Sequence, residues 1–310
     1  MNKVPFLSIC IPAYNRVHLL KRLLDSISRQ SFTDFELIVS DDSEGNEVKE
    51  LCGLYTHLDL KYFKNDPPAG TPENWNLAIE RSSSGWIKLM HDDDWFGAPD
   101  ALGKFAAAAQ KETAHFIFSA YTAVGDEGKK QAYVLTEKHR ELLKKNPLYL
   151  VYENIIGHPS TVLHKKQSLI RFSKDFRWVV DIDFYIQYLM AHKSFFYLDE
   201  SLVHIGKGST QVSESCYKNP DVEIPEYLEL INHLGAPAQK DKYVFFSLWN
   251  LAKKFRIREN VKIQQHYSGA VPAAMEFIIR YQQKIPHIVL KQTPWSRYFM
   301  KKAHAAFANV

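Results

Sequence analysis

Three consecutive aspartates, Asp92, Asp93 and Asp94, close an apolar run in "SSSGWIKLMHDDDWF" (Ser82–Phe96). Adjacent carboxylates repel one another, and each is costly to keep ionised beside a hydrophobic core. A divalent cation would resolve the conflict: Mg2+ and Mn2+ prefer carboxylate oxygens and are commonly shared with substrate phosphates. The competing reading is a polar turn in which Asp94 caps a helix near Pro99. His91 is a candidate fourth ligand, although a partly exposed loop histidine explains it as well. A second acidic pair, Asp41-Asp42-Ser43, ends the run "FELIVS". It suits hydrogen bonding to a nucleobase or ribose, with Ser43 capping the next helix, and equally suits a structural Asx-turn. Asp181 follows Trp178, Val179 and Val180 in "FRWVVDIDFYIQYL". Apolar company raises a carboxyl pKa and so favours a general base, while a helix N-cap, with Asp183 in the first turn, is the structural alternative.

These residues need elements to hold them at one edge. "LSICIP" and "FELIVS" read as buried strands, and Val17, Leu19, Leu20, Leu23, Leu24 and Ile27 give Asn15–Arg29 a helical spacing. A short helix over about 46–56, the strand "LKYFKN", the loop "NDPPAGTP", the helix "ENWNLAIERSS" and the strand "WIKLM" complete a β-α-β-α-β-α-β order. That order predicts an α/β fold with a mostly parallel sheet flanked by helices. Ligands of such sheets bind beyond the carboxyl ends of the strands, where "AYNR", "DDS" and "HDDDW" all fall. Farther on, a helix over Pro99–Ala109, a strand in "AHFIFSAY", a hairpin about Gly125–Gly128, and helices over Pro147–Ile156 and Ile182–Ala191 are expected. "FFYLDESLVHI" reads as a strand pair or a strand and turn. From about Glu223 the pattern is helical, so the expected division is residues 1–222 and a helical C-terminal extension, 223–310.

Composition narrows the class. The 310 residues are 45% hydrophobic and 24% charged, ordinary for a globular chain. Cys10, Cys52 and Cys216 are scattered, which fits neither a disulfide framework nor a zinc site and points to the cytoplasm. The start lacks a signal-peptide apolar core, and no window reads as a membrane span. No Walker loop, GxGxxG, GxSxG or HExxH is present. The net charge of +4 is uneven: Gly235–Val310 carries 13 Lys+Arg and 3 Asp+Glu.

In order over Leu7–Ser213, the motifs resemble the inverting family 2 glycosyltransferases of GT-A (Rossmann-like) fold, of bacterial surface-polysaccharide type. "LSICIPAYNR" resembles the family's first strand and Pro-x-Tyr-Asn-Arg turn, which implies nucleotide contacts by Pro12, Tyr14, Asn15 and Arg16. "FELIVSDDSE" is similar to its second strand, whose first aspartate, here Asp41, contacts the base. "GTPENWNLAIERSSSGWIKLMHDDDW" resembles its Asn-containing helix (Asn76) and DxD-type motif. The resemblance implies a nucleotide-diphosphate sugar donor, a UDP-sugar foremost, held through Mn2+ or Mg2+ by Asp92, Asp93 and Asp94. Asp92 and Asp93 also belong to the expected nucleotide site. In the family's DxDD register His91 replaces the first acid, which leaves Asp93 and Asp94; a DxD register uses Asp92 and Asp94. The family's base before a helix falls on Asp181, with Val180 in place of the preceding acid. "NIIGHPSTVLHKK" resembles its acceptor-side Gly-x-Pro-Ser segment, implicating His158 and Ser160, and Trp178 is placed with them. Its Arg-x-His-x-x-Ser segment has no match in "VHIGKGSTQVS", where His204, Lys207 and Ser209 are the candidates for the diphosphate.

The implied acceptor is a glycan or lipid-linked saccharide. The basic helices at the C-terminus suit an anionic membrane surface, placing the protein at the inner face of the cytoplasmic membrane. Packing on the core or in a homo-oligomer is the alternative, and no recognised module supports nucleic-acid binding. A sugar nucleotidyltransferase fits less well, because "AYNRVH" lacks a Gly-rich phosphate turn. A non-catalytic nucleotide- or glycan-binding module is the reading from another class.

Overall fold

The computed structural model describes residues 3–111, 113–125, 127–208 and 215–309. Its first strands are β1 (Leu7–Ala13) and β2 (Phe35–Asp41), and every residue of both is buried. A strand covered on both faces needs an unbroken apolar run rather than alternation, which is how these two read. Helix α1 (Val17–Ser28) lies between them and buries Leu20, Leu23, Leu24 and Ile27, one face of a 3.6-residue period. Then follow α2 (Glu47–Gly53), the less buried strand β3 (Leu60–Lys64), α3 (Glu73–Glu80) and β4 (Trp86–Leu89). After the two-residue strand β5 (Trp95–Phe96) come α4 (Ala101–Lys111), β6 (Phe116–Val124) and β7 (Lys130–Tyr133). Next are α5 (Glu137–Lys145), α6 (Tyr149–Tyr152), β8 (Val162–Lys165), α7 (Val180–His192) and β9 (Phe196–Gly206).

Among the described residues these strands form one sheet in the order β3-β2-β1-β4-β8-β6-β9-β5, with β7 paired to β6. The first four are parallel, as the alternation of strands and helices predicts. Beyond β4 the sheet is mixed: β8 runs antiparallel to β4 and β6, whereas β9 lies parallel to β6. "FFYLDESLVHI" is neither a strand pair nor a strand and turn but one long strand, with a register irregularity opposite Ser119–Tyr121. The helix expected over Pro147–Ile156 shrinks to the single turn of α6, because the chain turns extended at Glu153 and leads toward Gly157 at φ 92°.

The chain divides into two compact units. The first comprises Met1–Lys144, Ile155–Lys174 and Phe184–Gln211, and the second comprises Lys145–Asn154, Asp175–Asp183 and Val212–Val310. The first contains the sheet. The second contains α8 (Pro220–Leu234), α9 (Ala236–Gln239), α10 (Lys242–Lys254), α11 (Asn260–Gln264), α12 (Ala273–Gln283), α13 (His287–Lys291) and α14 (Thr293–Ala308). Its core includes Leu228, Ile231, Phe245, Leu248, Trp249, Met275 and Ile278, all fully buried. No helix among the described residues is long and apolar enough to cross a membrane.

Candidate active site

The sheet order reverses between β1 and β4, since β2 and β3 continue on one side of β1 and β4 lies on the other. Beyond the strand ends such a reversal leaves a crevice, the usual ligand position in these sheets. Arg16 and the acidic loop bridge it. The Arg16 guanidinium donates to both carboxylate oxygens of Asp92, at 3.3 Å from Nε and more closely from Nη2, and to Asp93 at 3.0 Å. The Arg16 carbonyl meanwhile accepts from Leu19 and Leu20, so one residue starts α1 and fastens the acids. Asn15 makes the turn possible at φ 55°, a left-handed conformation that asparagine tolerates, and its N–H donates to Ser43 Oγ at 2.8 Å. Ser43 therefore ties two loops together, and it does not cap α2, whose N-cap is Asn46. Pro12 is buried within β1, and Tyr14 is exposed, with its N–H donated to Asp92.

Potential ligand atoms of His91, Asp93 and Asp94, one from each residue, lie within 4.8 Å of one another. Asp92 does not belong to that set, because both of its oxygens face Arg16. Burial pushes Asp92 up to about 7, outweighing the pull of Arg16, and holds Asp94 well above the usual carboxylate range with Asp93 adding repulsion. Burial also lowers His91 to about 4, so its imidazole is neutral, as a ligand must be. Among the described residues His91 Nε2 has no hydrogen-bond partner; it is buried against the ring of Trp75 at 4.5 Å. Two carboxylates and a neutral imidazole with an orphaned nitrogen fit a divalent transition metal such as Mn2+.

Ser160, expected on the acceptor side, instead lies beneath this loop and is fully buried. Its Oγ accepts from the His91 N–H at 2.9 Å, and its hydroxyl hydrogen-bonds the Asp94 carboxylate. Lys88 of β4 is buried below, with Nζ donating to the carbonyls of Ser160 and Val162. Burial lowers Lys88 to about 7 despite the nearby Asp94. From the other side, the Gly206 N–H donates to Asp94 at 3.1 Å, and Arg22 donates to the Asp93 carbonyl at 2.6 Å while lying over Trp95. A Cβ on Gly206 would meet the Asp93 carbonyl oxygen at 2.4 Å, so only glycine allows this approach. Reading the motifs missed Lys88, Arg22 and Gly206; the one available signal was the glycine that closes β9.

Asp41 is fully buried and accepts from Ser43 N–H at 2.8 Å and Tyr62 Oη at 2.7 Å, with Lys64 3.4 Å away. Asp42 accepts from the Ala69 and Gly70 N–H groups and from Asn65, which fixes the loop between β3 and α3. Asn76 exchanges two hydrogen bonds with the backbone of Phe172. Lys207 Nζ lies 3.5 Å from His158 Nε2, whose pKa falls to about 3 through burial and the neighbouring cation. His204 packs on Trp95 at 5.3 Å. Ser209 lies outside the described residues.

In the second unit, Asp181 occupies the first turn of α7. It is not the cap. Glu226 of α8 accepts from the N–H groups of Arg177, Trp178 and Val179, at 3.0, 2.7 and 3.2 Å. Asp181 accepts from Asn154 Nδ2 at 2.8 Å and from the Ile182 N–H at 2.9 Å. Burial nevertheless raises it to about 7, the range in which a carboxylate serves as a base near neutrality. Trp178 is half-buried beside Tyr217.

The sequence profile of the family described as Glycosyl transferase family 2 matches residues 8–176. The chain belongs to glycosyl transferase family 2. Among relatives in the family, WcaA of Escherichia coli (strain K12), a putative colanic acid biosynthesis glycosyl transferase, is 24% identical over 69% of this chain and 78% of its own. Of two further curated relatives, 26% and 34% identical, the chain spans 62% and 44% of the length. The fold is similar to that of GT-A structures. TarS of S. aureus with UDP-GlcNAc superposes with a TM-score of 0.57 at 16% identity, covering 96% of this chain and 79% of that one. The mannosyltransferase PcManGT from Pyrobaculum calidifontis, with GDP-Man and Mn2+, gives 0.56 at 14% identity, covering 99% and 88%.

Proposed function

We propose that this protein is an inverting, metal-dependent glycosyltransferase that moves a sugar from a nucleotide-diphosphate donor, a UDP-sugar foremost, to a hydroxyl of a glycan or lipid-linked saccharide. The observation that carries the proposal is the His91–Asp93–Asp94 ligand set at the sheet's reversal point, with an orphaned imidazole nitrogen and a fixed supporting shell. Family membership and the nucleotide-sugar and Mn2+ complexes of structural neighbours support it.

His91, Asp93 and Asp94 would hold the cation, which when bound supplies charge neutralisation to the departing diphosphate. Arg16 compensates Asp92 and part of Asp93 within a low-dielectric loop, which offsets part of the repulsion among the acids. Tyr14 and Asn15 would contact the nucleotide, with Asp41 acting from a buried position behind Ser43, and Lys207 with His158 would offer a cation and a neutral donor to phosphate oxygens. Asp181 takes the proton from the acceptor hydroxyl as that oxygen attacks C1 opposite the diphosphate. Such assistance is worth roughly 10²–10⁴ in rate.

The test is calorimetric titration of UDP and GDP in Mn2+ or in EDTA. Metal-dependent binding that is lost in Asp94→Asn supports the site. Absence of nucleotide binding under both conditions overturns it.

A further inference from the structure

The last acidic residue of the chain is Glu276, so the 34 residues that follow carry Arg280, Lys284, Lys291, Arg297, Lys301 and Lys302 without any carboxylate side chain. The structure places one of these charges, Lys302, against an exposed aromatic ring. On α14, Trp295, Tyr298 and Lys302 follow at helical spacing along one face, with Trp295 53% and Tyr298 46% exposed. The Lys302 ammonium lies over the Tyr298 ring at 4.8 Å, and Trp295 meets the same ring edge-on at 6.3 Å. Ile288, on the preceding α13, is 71% exposed. Arg297 and Lys301 are exposed on the same helix, one turn apart. Among the described residues none of these cations forms an ion pair, and Arg297 lies close enough to Lys253 of α10 to lower its pKa, after burial.

We propose that this face of α13 and α14 docks on an anionic lipid bilayer. A membrane interface takes Trp and Tyr at headgroup depth, an aliphatic side chain just below, and unpaired Lys and Arg against acidic headgroups. The aromatic pair and a lysine share one face of α14, and the exposed aliphatic side chain stands on the helix before it. A second copy of the chain offering the same face would set cation against cation. A nucleic acid would satisfy the charges but offers no hydrocarbon for Ile288. The inference stands on these surface residues and does not depend on the transferase reading.

The experiment is co-flotation of the whole chain with phosphatidylcholine vesicles, with and without about one third phosphatidylglycerol. Binding is expected only with phosphatidylglycerol, weakening as salt rises. Each surface cation adds about 5-fold in affinity, so Lys301→Gln with Lys302→Gln lowers it about 25-fold. Trp295→Ser with Tyr298→Ser abolishes flotation while the circular dichroism melt stays unchanged, since both side chains are exposed. Equal binding to both vesicle types, or unaltered flotation of both double variants, overturns the proposal. So does a dimer, or a DNA complex, that the same variants disrupt while vesicles go unbound.

Discussion

Ser160→Ala tests whether the buried serine holds the proposed metal-binding loop or touches the acceptor. The substitution removes one oxygen and leaves the fold around it closed, because Ser160 is fully buried and its carbonyl stays tied to Lys88. Two bonds go: the one from the His91 N–H at 2.9 Å and the one to Asp94. An amide left without a partner in a partly buried loop costs about 1–3 kcal/mol, and a lost bond to a carboxylate adds to that. Asp94 keeps the Gly206 N–H, which limits the total. Taking about 2 kcal/mol as the part that must be recovered when the loop is ordered around a cation, Mn2+ affinity falls about 30-fold. The assay is titration of Mn2+ with saturating nucleoside diphosphate, beside acceptor KM in a transfer assay. If Mn2+ affinity stays within about threefold of the parent and only acceptor KM rises, Ser160 is an acceptor contact and the reasoning fails.

Asp181→Asn is expected to spare donor binding and abolish transfer. In the parent, transfer rises with pH through about 7, where Asp181 loses its proton. A carboxyl raised in the folded state binds more protons there than in the unfolded chain, so its destabilisation is absent below about pH 4 and complete above about 7. The asparagine variant should therefore melt about 3 °C higher at pH 8 and show no gain at pH 4. Asp94→Asn lowers metal-dependent nucleotide affinity at least about 100-fold, yet raises the melting temperature in EDTA by removing a buried like charge beside Asp93. Glu36 provides the opposite sign. Burial would raise its pKa, but hydrogen bonds from Lys61, Ser8 and Ser83 bring it down to about 2. Its contribution is present above about pH 4 and lost as pH falls toward 2; Glu36→Gln costs about 2 kcal/mol at pH 7 by urea melts and little at pH 2.

What could be read from the sequence was local. β1 and β2 announce themselves because strands covered on both faces need continuous apolar runs, and α1 because its buried face repeats every 3.6 residues. The acidic loop stood out because three neighbouring carboxylates repel one another, although a polar turn explained them as well. Its internal register was not legible, because the choice between Asp92 and His91 depends on Arg16, 76 residues away along the chain, claiming Asp92. Glu226 was equally invisible as the anchor of the turn that leads into α7, since it reaches the Trp178 N–H across 48 residues. Sequence neighbours gave Asp181 its apolar setting but not its Asn154 partner. The mixed second half of the sheet also escaped, because pairing direction beyond β4 depends on where distant strands enter.

The approach of Gly206 to the Asp93 carbonyl limits how this scaffold can be diversified. β9 is long and its pairing with β6 is irregular, so its register matters to everything that packs on it. A slip by one residue would bring Ile205 or Lys207 under that carbonyl, where the space accepts no Cβ. The acidic loop thus acts as a proofreader of strand alignment. Insertions at the β6–β7 tip leave the β9 frame untouched, whereas a one-residue insertion within β9 would be read out 112 positions upstream, at Asp94. Loop exchange aimed at new substrates has room at the first place and none at the second.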